Sequence, residues 1–411
     1  MALIRAQRFS AHNLLRRVVW PKTWGKATAK NLYVAVAPLN RRTHPHAFGD
    51  LTMPAYRSVS NSCFFRRQNG LTTAITALVI GLSCCGASRA AFSQTTSSVS
   101  ADNSSAFHDE DRFDDSWRHH ERPLLVGYLP DYDGSYADFA QTLDFKKMTH
   151  LYLAFGLPPF CNGTCTASSD MTFSLGQTDA DIKTLVDKAH SEHVKVVLSI
   201  GGGGGDQQIL QFYNAGLSKP LVKSLNKYIH DHNLDGVDLD IEDPNNMGEP
   251  YAVFTKTLID EFHPQGKIVT AAVAEYLQDS MPDSALHMFD FVNVMNYSNL
   301  SDAETAMQYY SEQKHVPRDR MTLGVPFFAQ SADGNIEETY STVLAAYPDA
   351  WQTDVVSGGS LDGGIALYYV GEATMAKETK LGKKYGGIMI WELSQDGLPP
   401  HSLLNVIQNN L

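Results

Sequence analysis

The chain has 411 residues, 43% of them hydrophobic and 19% charged, enough to bury a large core, which excludes a chain disordered throughout. Its net charge of −12 hides a split: Met1–Gly70 carries twelve basic residues against the single acid Asp50, and everything after Ala90 stands near −24. A surface so acidic repels phosphate backbones and anionic lipid, which argues against nucleic acid as a partner of the main domain; five cysteines without a C-x-x-C pair exclude a disulfide scaffold and a zinc site of that pattern.

Residues 1–90 read as an N-terminal extension with a signal-peptide-like segment. The apolar run Leu71–Leu82 is about a dozen residues long, short of the roughly 20 a spanning helix needs. Arg66 and Arg67 precede it and small residues up to Ala90 follow, the three regions of a secretory signal with cleavage after Ala90; a helix of the fold is the alternative. The arginine-rich stretch before Met53 is either an organellar-type leader or lies upstream of a true start at Met53, the preferred reading. The expected location is secreted or extracytoplasmic, with a lipid anchor at Cys84 or Cys85 as the minority alternative. Residues 91–120 turn to Ser, Thr and Gln, then Asp, Glu and His, a flexible linker into a domain over 121–411. In an exported chain Cys161 and Cys165 can close a small disulfide loop or stay as free thiols.

From Pro123 onward, short β-rich runs alternate with segments of helical period. The predicted strands are Leu124–Tyr128, Met148–Phe155, Val194–Ile200, Leu234–Glu242, Lys267–Val273, Phe289–Tyr297, Met321–Phe328 and Gly386–Leu393. Thr178 or Asp179 caps a helix that buries Ile182, Leu185, Val186 and Ala189, and Ser218 caps another with Pro220 in its first turn. Eight strands with intervening helices predict an α/β fold, a (β/α)8 TIM barrel. An open doubly wound sheet is the runner-up, but the glycine run Gly201–Gly205 has neither the G-x-G-x-x-G spacing nor a Lys-Ser/Thr ending. That run instead lets backbone pass close to something at the strand's C-terminal end.

The fourth strand carries the chemistry. In Asp235-Gly-Val-Asp-Leu-Asp-Ile-Glu242, Val237, Leu239 and Ile241 point one way and Asp238, Asp240 and Glu242 the other. With the apolar set against the helices, the acids face a barrel interior that Val, Ile and Leu normally fill. Three ionised carboxylates a pleat apart cannot all stay charged there, so at least one keeps its proton near neutral pH, as a general acid must. A solvated edge strand and a Mg²⁺ or Ca²⁺ site are the competitors; a central parallel strand has no wet face, and acids in a line surround an ion poorly. No metal and no cofactor are expected. Glu242, at the C-terminal mouth, is the proton donor, while Asp240 on the same side is badly placed for attack from the opposite face of a sugar.

These residues resemble the family 18 glycoside hydrolases, the chitinase family. The D-G-x-D-x-D-x-E motif matches Asp235, Gly236, Asp238, Asp240 and Glu242; S-x-G-G matches Ser199, Gly201 and Gly202; M-x-Y-D matches Met295 and Tyr297 with Ser298 in place of Asp; and the Trp closing the eighth strand is Trp391. The resemblance implies retaining hydrolysis of β-1,4-linked N-acetylglucosamine, in chitin or chito-oligosaccharides, with the substrate's own acetamido group as nucleophile. It implies Glu242 as acid and then base, Asp240 polarising the acetamido group, Asp238 sharing charge with Asp240, and Tyr297 bonding the acetamido oxygen. Ser298 leaves the pH optimum open. About sixty residues between Phe328 and Gly386 are short for a full-size α+β insertion domain, which predicts a shallow cleft and endo action. Trp391, Tyr128, Phe155 and Trp351 are candidates for stacking on sugar, and Met295 for lining the site. Alternatives are an endo-β-N-acetylglucosaminidase acting on N-glycan cores and a lectin on a dead barrel, against which Glu242 argues. A monomer is expected.

Overall fold

The computed structural model describes residues 122–359, 361 and 363–411; the predicted signal segment, linker and anchor cysteines lie outside them. The elements run in the order β1 (Leu124–Pro130), α1 (Tyr136–Thr142), β2 (His150–Ala154), α2 (Asp179–Ser191), β3 (Lys195–Gly201), α3 (Asp206–Asn214), α4 (Ser218–Asp231), β4 (Gly236–Asp240), α5 (Glu249–Phe262) and β5 (Ile268–Ala274). They continue with α6 (Asp283–Leu286), β6 (Val292–Met295), α7 (Leu300–Gln308), β7 (Met321–Pro326), β8 (Phe328–Ser331), β9 (Glu337–Thr339), α8 (Tyr340–Ala346), β10 (Val355–Val356), β11 (Leu367–Tyr368), α9 (Glu372–Gly382), β12 (Gly387–Trp391) and α10 (Leu403–Asn410). Eight parallel strands close in the order β1-β12-β7-β6-β5-β4-β3-β2, so the domain is a (β/α)8 barrel.

Alternation in the strands builds two cores. Outward residues such as Val237, Leu239 and Ile241 join the helices in a large apolar shell. Inside the barrel a smaller cluster of Leu124, Val126, Tyr128, Tyr152, Ala154, Val197, Phe291 and Met389 forms a plug, with Phe155, Met295, Tyr297 and Trp391 packed on it.

All eight predicted strands shift at one or both bounds by one to three residues, and three boundaries have identifiable local settings. The seventh strand ends at Pro326: the Phe327 N–H still bonds the Trp391 carbonyl at 2.8 Å, but the chain bends there, the Phe327 carbonyl accepts from the Tyr340 N–H, and Phe328 starts a separate antiparallel sheet ordered β10-β11-β8-β9. This sheet, with α8, is the reduced insertion. Ser218 is the first residue of α4 rather than its cap; Leu217 precedes it without a side-chain cap bond, and Pro220 removes one of the N–H groups a cap would serve. Thr178 does cap α2, accepting from the Asp181 N–H. Glu242 lies just beyond β4 rather than within it. Cys161 and Cys165 are joined in a disulfide.

Candidate active site

The register of the central strands explains why three acids in a row have three different environments. Ser199 of β3, Asp238 of β4 and Thr270 of β5 are lateral neighbours in one row. Their side chains meet inside the barrel: Ser199 Oγ donates to Asp238 Oδ2 at 2.8 Å and Thr270 Oγ1 donates to Oδ1 at 2.8 Å. Tyr128 adds a third donor to Oδ2 at 2.8 Å. Since the Thr270 hydroxyl has one proton and spends it on Asp238, Tyr152, 2.8 Å away, must donate to Thr270. Burial pushes the Asp238 carboxyl up, and the surrounding hydroxyls pull it back.

One row nearer the mouth, the lateral neighbours of Asp240 are Gly201 and Ala272. Neither has a polar side chain. Asp240 is 3% exposed, and its Oδ1 is buried with no hydrogen-bond partner among the described residues. Burial, followed by the charges of Glu242, Asp238 and Asp206, holds the Asp240 carboxyl well above the ordinary aspartate range. Burial and the neighbouring acids thus favour the protonated form of Asp240, with titration shared across the cluster. Gly201 is required here, because a Cβ would stand 2.0 Å from the Asp240 carbonyl oxygen, and its φ of +106° favours glycine.

Glu242 is half-buried at the mouth. Burial raises its pKa, and a hydrogen bond from Tyr276 lowers it. Tyr276 Oη donates to Glu242 Oε2 at 3.0 Å. The backbone at the same point is held by Asp206, the first residue of α3, whose Oδ2 accepts from the N–H groups of Glu242 and Asp243 at 2.9 and 3.0 Å. Asp206 Oδ1 is buried without a partner among the described residues, and burial, opposed by those two amides, pushes its carboxyl up to about 6. Tyr297, beyond the end of β6, keeps its proton: burial and then the charges of Asp240 and Glu242 raise its pKa well above the phenolic range. Its ring meets Phe328 edge-on at 5.7 Å, beside a pocket of about 270 Å³ bordered by Ser298, Pro326, Gln330 and Tyr368.

Of the predicted aromatics, Trp391 and Phe155 stack on each other at 5.6 Å and 23° and remain partly exposed above the inner plug. Gly202 leaves room for this, since a Cβ there would meet the Phe155 ring at 2.4 Å. Tyr128 is corrected: at 1% exposure it has no free face for a sugar, and it serves as a donor to Asp238 and a support for Trp391, 5.6 Å away. Trp351 is corrected too, because its ring stacks on His401 at 4.8 Å and belongs to the α10 side of the domain. Met295 packs on the inner plug at the end of β6. Ser298 is exposed and turns its hydroxyl to Asp302 at 3.0 Å. Asp235 sits at the opposite end of β4, where it accepts from the Val196 N–H at 2.8 Å and pairs with His190 and Lys195; its place in the motif is architectural.

Sequence reasoning missed Tyr276, Asp206 and Thr270 as site residues. Tyr276 comes two residues after β5 and Asp206 directly after the glycine run, both at the barrel's C-terminal face, where chemistry collects.

Comparison with known proteins converges on one family. The model for glycosyl hydrolases family 18 matches residues 124–396, spanning the barrel. An acidic endochitinase of Cucumis sativus is 24% identical over 234 residues, covering 51% of this chain and 66% of its own. A chitinase-like effector of Moniliophthora perniciosa is 33% identical over 112 residues, 27% of this chain and 24% of its own. The chain thus spans less than two thirds of the length of these relatives. The crystal structure of the GH18 chitinase ChiB of Flavobacterium johnsoniae superposes with a TM-score of 0.60 at 26% identity, covering 71% of this chain and 94% of that one. A chitinase-like agglutinin from Robinia pseudoacacia shares the fold with a TM-score of 0.55 at 19% identity. With the family model matching across all eight barrel strands, the chain belongs to the glycosyl hydrolases family 18.

Proposed function

We propose that this protein is a retaining, substrate-assisted hydrolase of β-1,4-linked N-acetylglucosamine, acting within chitin chains or chito-oligosaccharides and exported from the cytoplasm. The observation that carries the reading is the contrast along β4: a fully hydrogen-bonded Asp238, an Asp240 biased toward its protonated form with a bare oxygen, and Glu242 at the open end. The carboxyls that act on Asp240 electrostatically are Glu242, Asp238 and Asp206, from β4 and the start of α3, which favours a nucleophile supplied by the substrate over one from the opposite wall.

In the first step Glu242 gives its proton to the glycosidic oxygen. The C1–O bond breaks with its electron pair going to that oxygen, and the carbonyl oxygen of the sugar's acetamido group bonds to C1 from the other face. Asp240, in a row lined by Gly201 and Ala272, has room to turn toward the acetamido N–H, and Tyr297 donates to the acetamido oxygen. In the second step ionised Glu242 takes a proton from water, whose oxygen bonds to C1 as the C1–O bond to the acetamido oxygen breaks and its electron pair returns to that group, restoring the original anomer. Trp391 floors the sugar with Phe155 behind it. The segment between the seventh and eighth barrel strands holds β8–β11 and α8 ahead of the barrel helix α9, short for a full-size α+β insertion domain, which supports endo action.

The test is to incubate the full chain with chitotetraose and with a high-mannose glycopeptide beside a Glu242→Gln control, resolving products by mass. Chitobiose that vanishes in the control supports the proposal. Core cleavage of the glycopeptide alone replaces it with an N-glycan hydrolase. Binding of both substrates without cleavage of either overturns it in favour of a lectin.

A further inference from the structure

We infer that Tyr276 is a positioning residue for the proton donor: by binding Glu242 Oε2 it reserves Oε1 as the oxygen that carries and delivers the proton. The inference deepens the hydrolase reading above and rests on it. Tyr276 lies in the loop after β5, on a different wall of the barrel from Glu242, and its hydroxyl reaches Oε2 at 3.0 Å. The other oxygen, Oε1, looks toward Gly203, where a Cβ would stand 3.6 Å away, so the glycine run leaves that side open. With Tyr276 donating to Oε2, the proton of the neutral carboxyl sits best on Oε1, because a carboxylic acid accepts better on its carbonyl oxygen than on its hydroxyl oxygen. When Glu242 acts as acid, the Oε1 proton goes to the leaving oxygen; the hydroxyl of Tyr276 keeps its proton throughout and remains the donor to Oε2 of the new carboxylate.

Tyr276 is suited to remaining a donor. Although the residue as a whole is exposed, desolvation of its hydroxyl and then the adjoining Glu242, Asp240 and Asp206 raise its pKa far above the working range. The groups that face Glu242 are Asp240 and Asp238 from β4, Asp206 from the start of α3, its neighbour Asp243, Tyr297 from beyond β6, and Tyr276 itself. The bond from Tyr276 opposes the upward push of burial on Glu242. The ring is 63% exposed, so a substitution there leaves the barrel core intact, and the competing reading is an aromatic that only touches substrate.

Tyr276→Phe separates the two, because it keeps the ring and removes the donor. In the full chain labelled with δ-¹³C glutamate, the Glu242 resonance is identified by its loss in Glu242→Gln and titrated without substrate. The expected result is a higher midpoint in Tyr276→Phe. On chitotetraose the variant should show kcat reduced roughly 3- to 10-fold at little change in KM, with the upper limb of its pH profile moved to higher pH. An unchanged Glu242 titration overturns the inference whether or not the chain cuts chitotetraose. An unaltered titration with a raised KM in Tyr276→Ala alone assigns the residue to substrate contact instead. If the titration moves but no substrate is cut by the parent protein, the positioning bond stands and the hydrolase reading fails.

Discussion

Asp238 and Asp240 share a strand and a face, yet the barrel treats them in opposite ways. Asp238 lies level with Ser199 and Thr270 and receives three hydroxyl bonds, whereas Asp240 lies level with Gly201 and Ala272 and keeps a bare oxygen. The difference comes from residues on β3 and β5, not from β4 itself. One row of neighbours with hydroxyls holds its carboxyl by hydrogen bonds; the next row, without them, leaves its carboxyl biased toward the protonated form by burial. A protein gives up stability for function in the second row and recovers some in the first.

The largest effects should come from breaking each row. Asp240→Asn should lower kcat by about 10²- to 10³-fold while leaving thermal unfolding close to that of the parent, because the amide is nearly the size of the protonated acid. Asp238→Ala should also abolish activity but cost about 2–4 kcal/mol of stability, since three buried hydroxyls lose their shared acceptor; denaturant unfolding of both variants measures the contrast. Equal destabilisation by the two would contradict the account.

A second contrast sets the site against buried acids elsewhere. Glu378 on α9 is 2% exposed with Oε2 unpartnered among the described residues, and burial foremost, then Asp354, pushes it up to about 8. Glu392 is likewise pushed up to about 8, mainly by burial, with Asp133 adding and Ser394 opposing. A carboxyl whose folded pKa lies above its unfolded value binds more protons in the folded state, so its contribution to stability falls as pH rises. The window runs from 4.5, the ordinary glutamate value, to about 8 for both groups. The chain should therefore unfold at a higher temperature at pH 5 than at pH 8, and Glu378→Gln should remove roughly 2–4 kcal/mol of that difference. A flat profile in the parent would contradict this.

Smaller effects sharpen the picture. Asp206→Ala frees the backbone at Glu242 and should cut kcat about 10-fold with KM nearly unchanged, read by steady-state kinetics on chitotetraose. Ser199→Ala should cost about 1 kcal/mol, the net worth of one buried hydrogen bond, and Thr270→Val about 2 kcal/mol, since it breaks the bonds with both Asp238 and Tyr152.

Much of this was legible in the sequence because the side-chain period of a strand is fixed at two. The alternation from Asp235 to Glu242 assigned Asp238 and Asp240 to the interior and their apolar neighbours to the outer core, and both assignments hold. What depends on closure was not legible. Thr270 meets Asp238 only because β4 and β5 pair in one particular register, and Tyr276 and Asp206 reach Glu242 from separate loops. Aromatic residues were the least readable, since Tyr128, Trp351 and Trp391 look alike in sequence. Packing alone separates an interior donor, a partner of His401 and a partly exposed floor.

The most direct test of the central claim is infrared difference spectroscopy of the carboxyl stretch at pH 6, subtracting Asp240→Asn and Asp238→Asn spectra from the parent. The account predicts that a protonated-carboxyl band is lost in Asp240→Asn and retained in Asp238→Asn. Loss in Asp238→Asn with retention in Asp240→Asn would place the proton on the wrong acid and contradict the account.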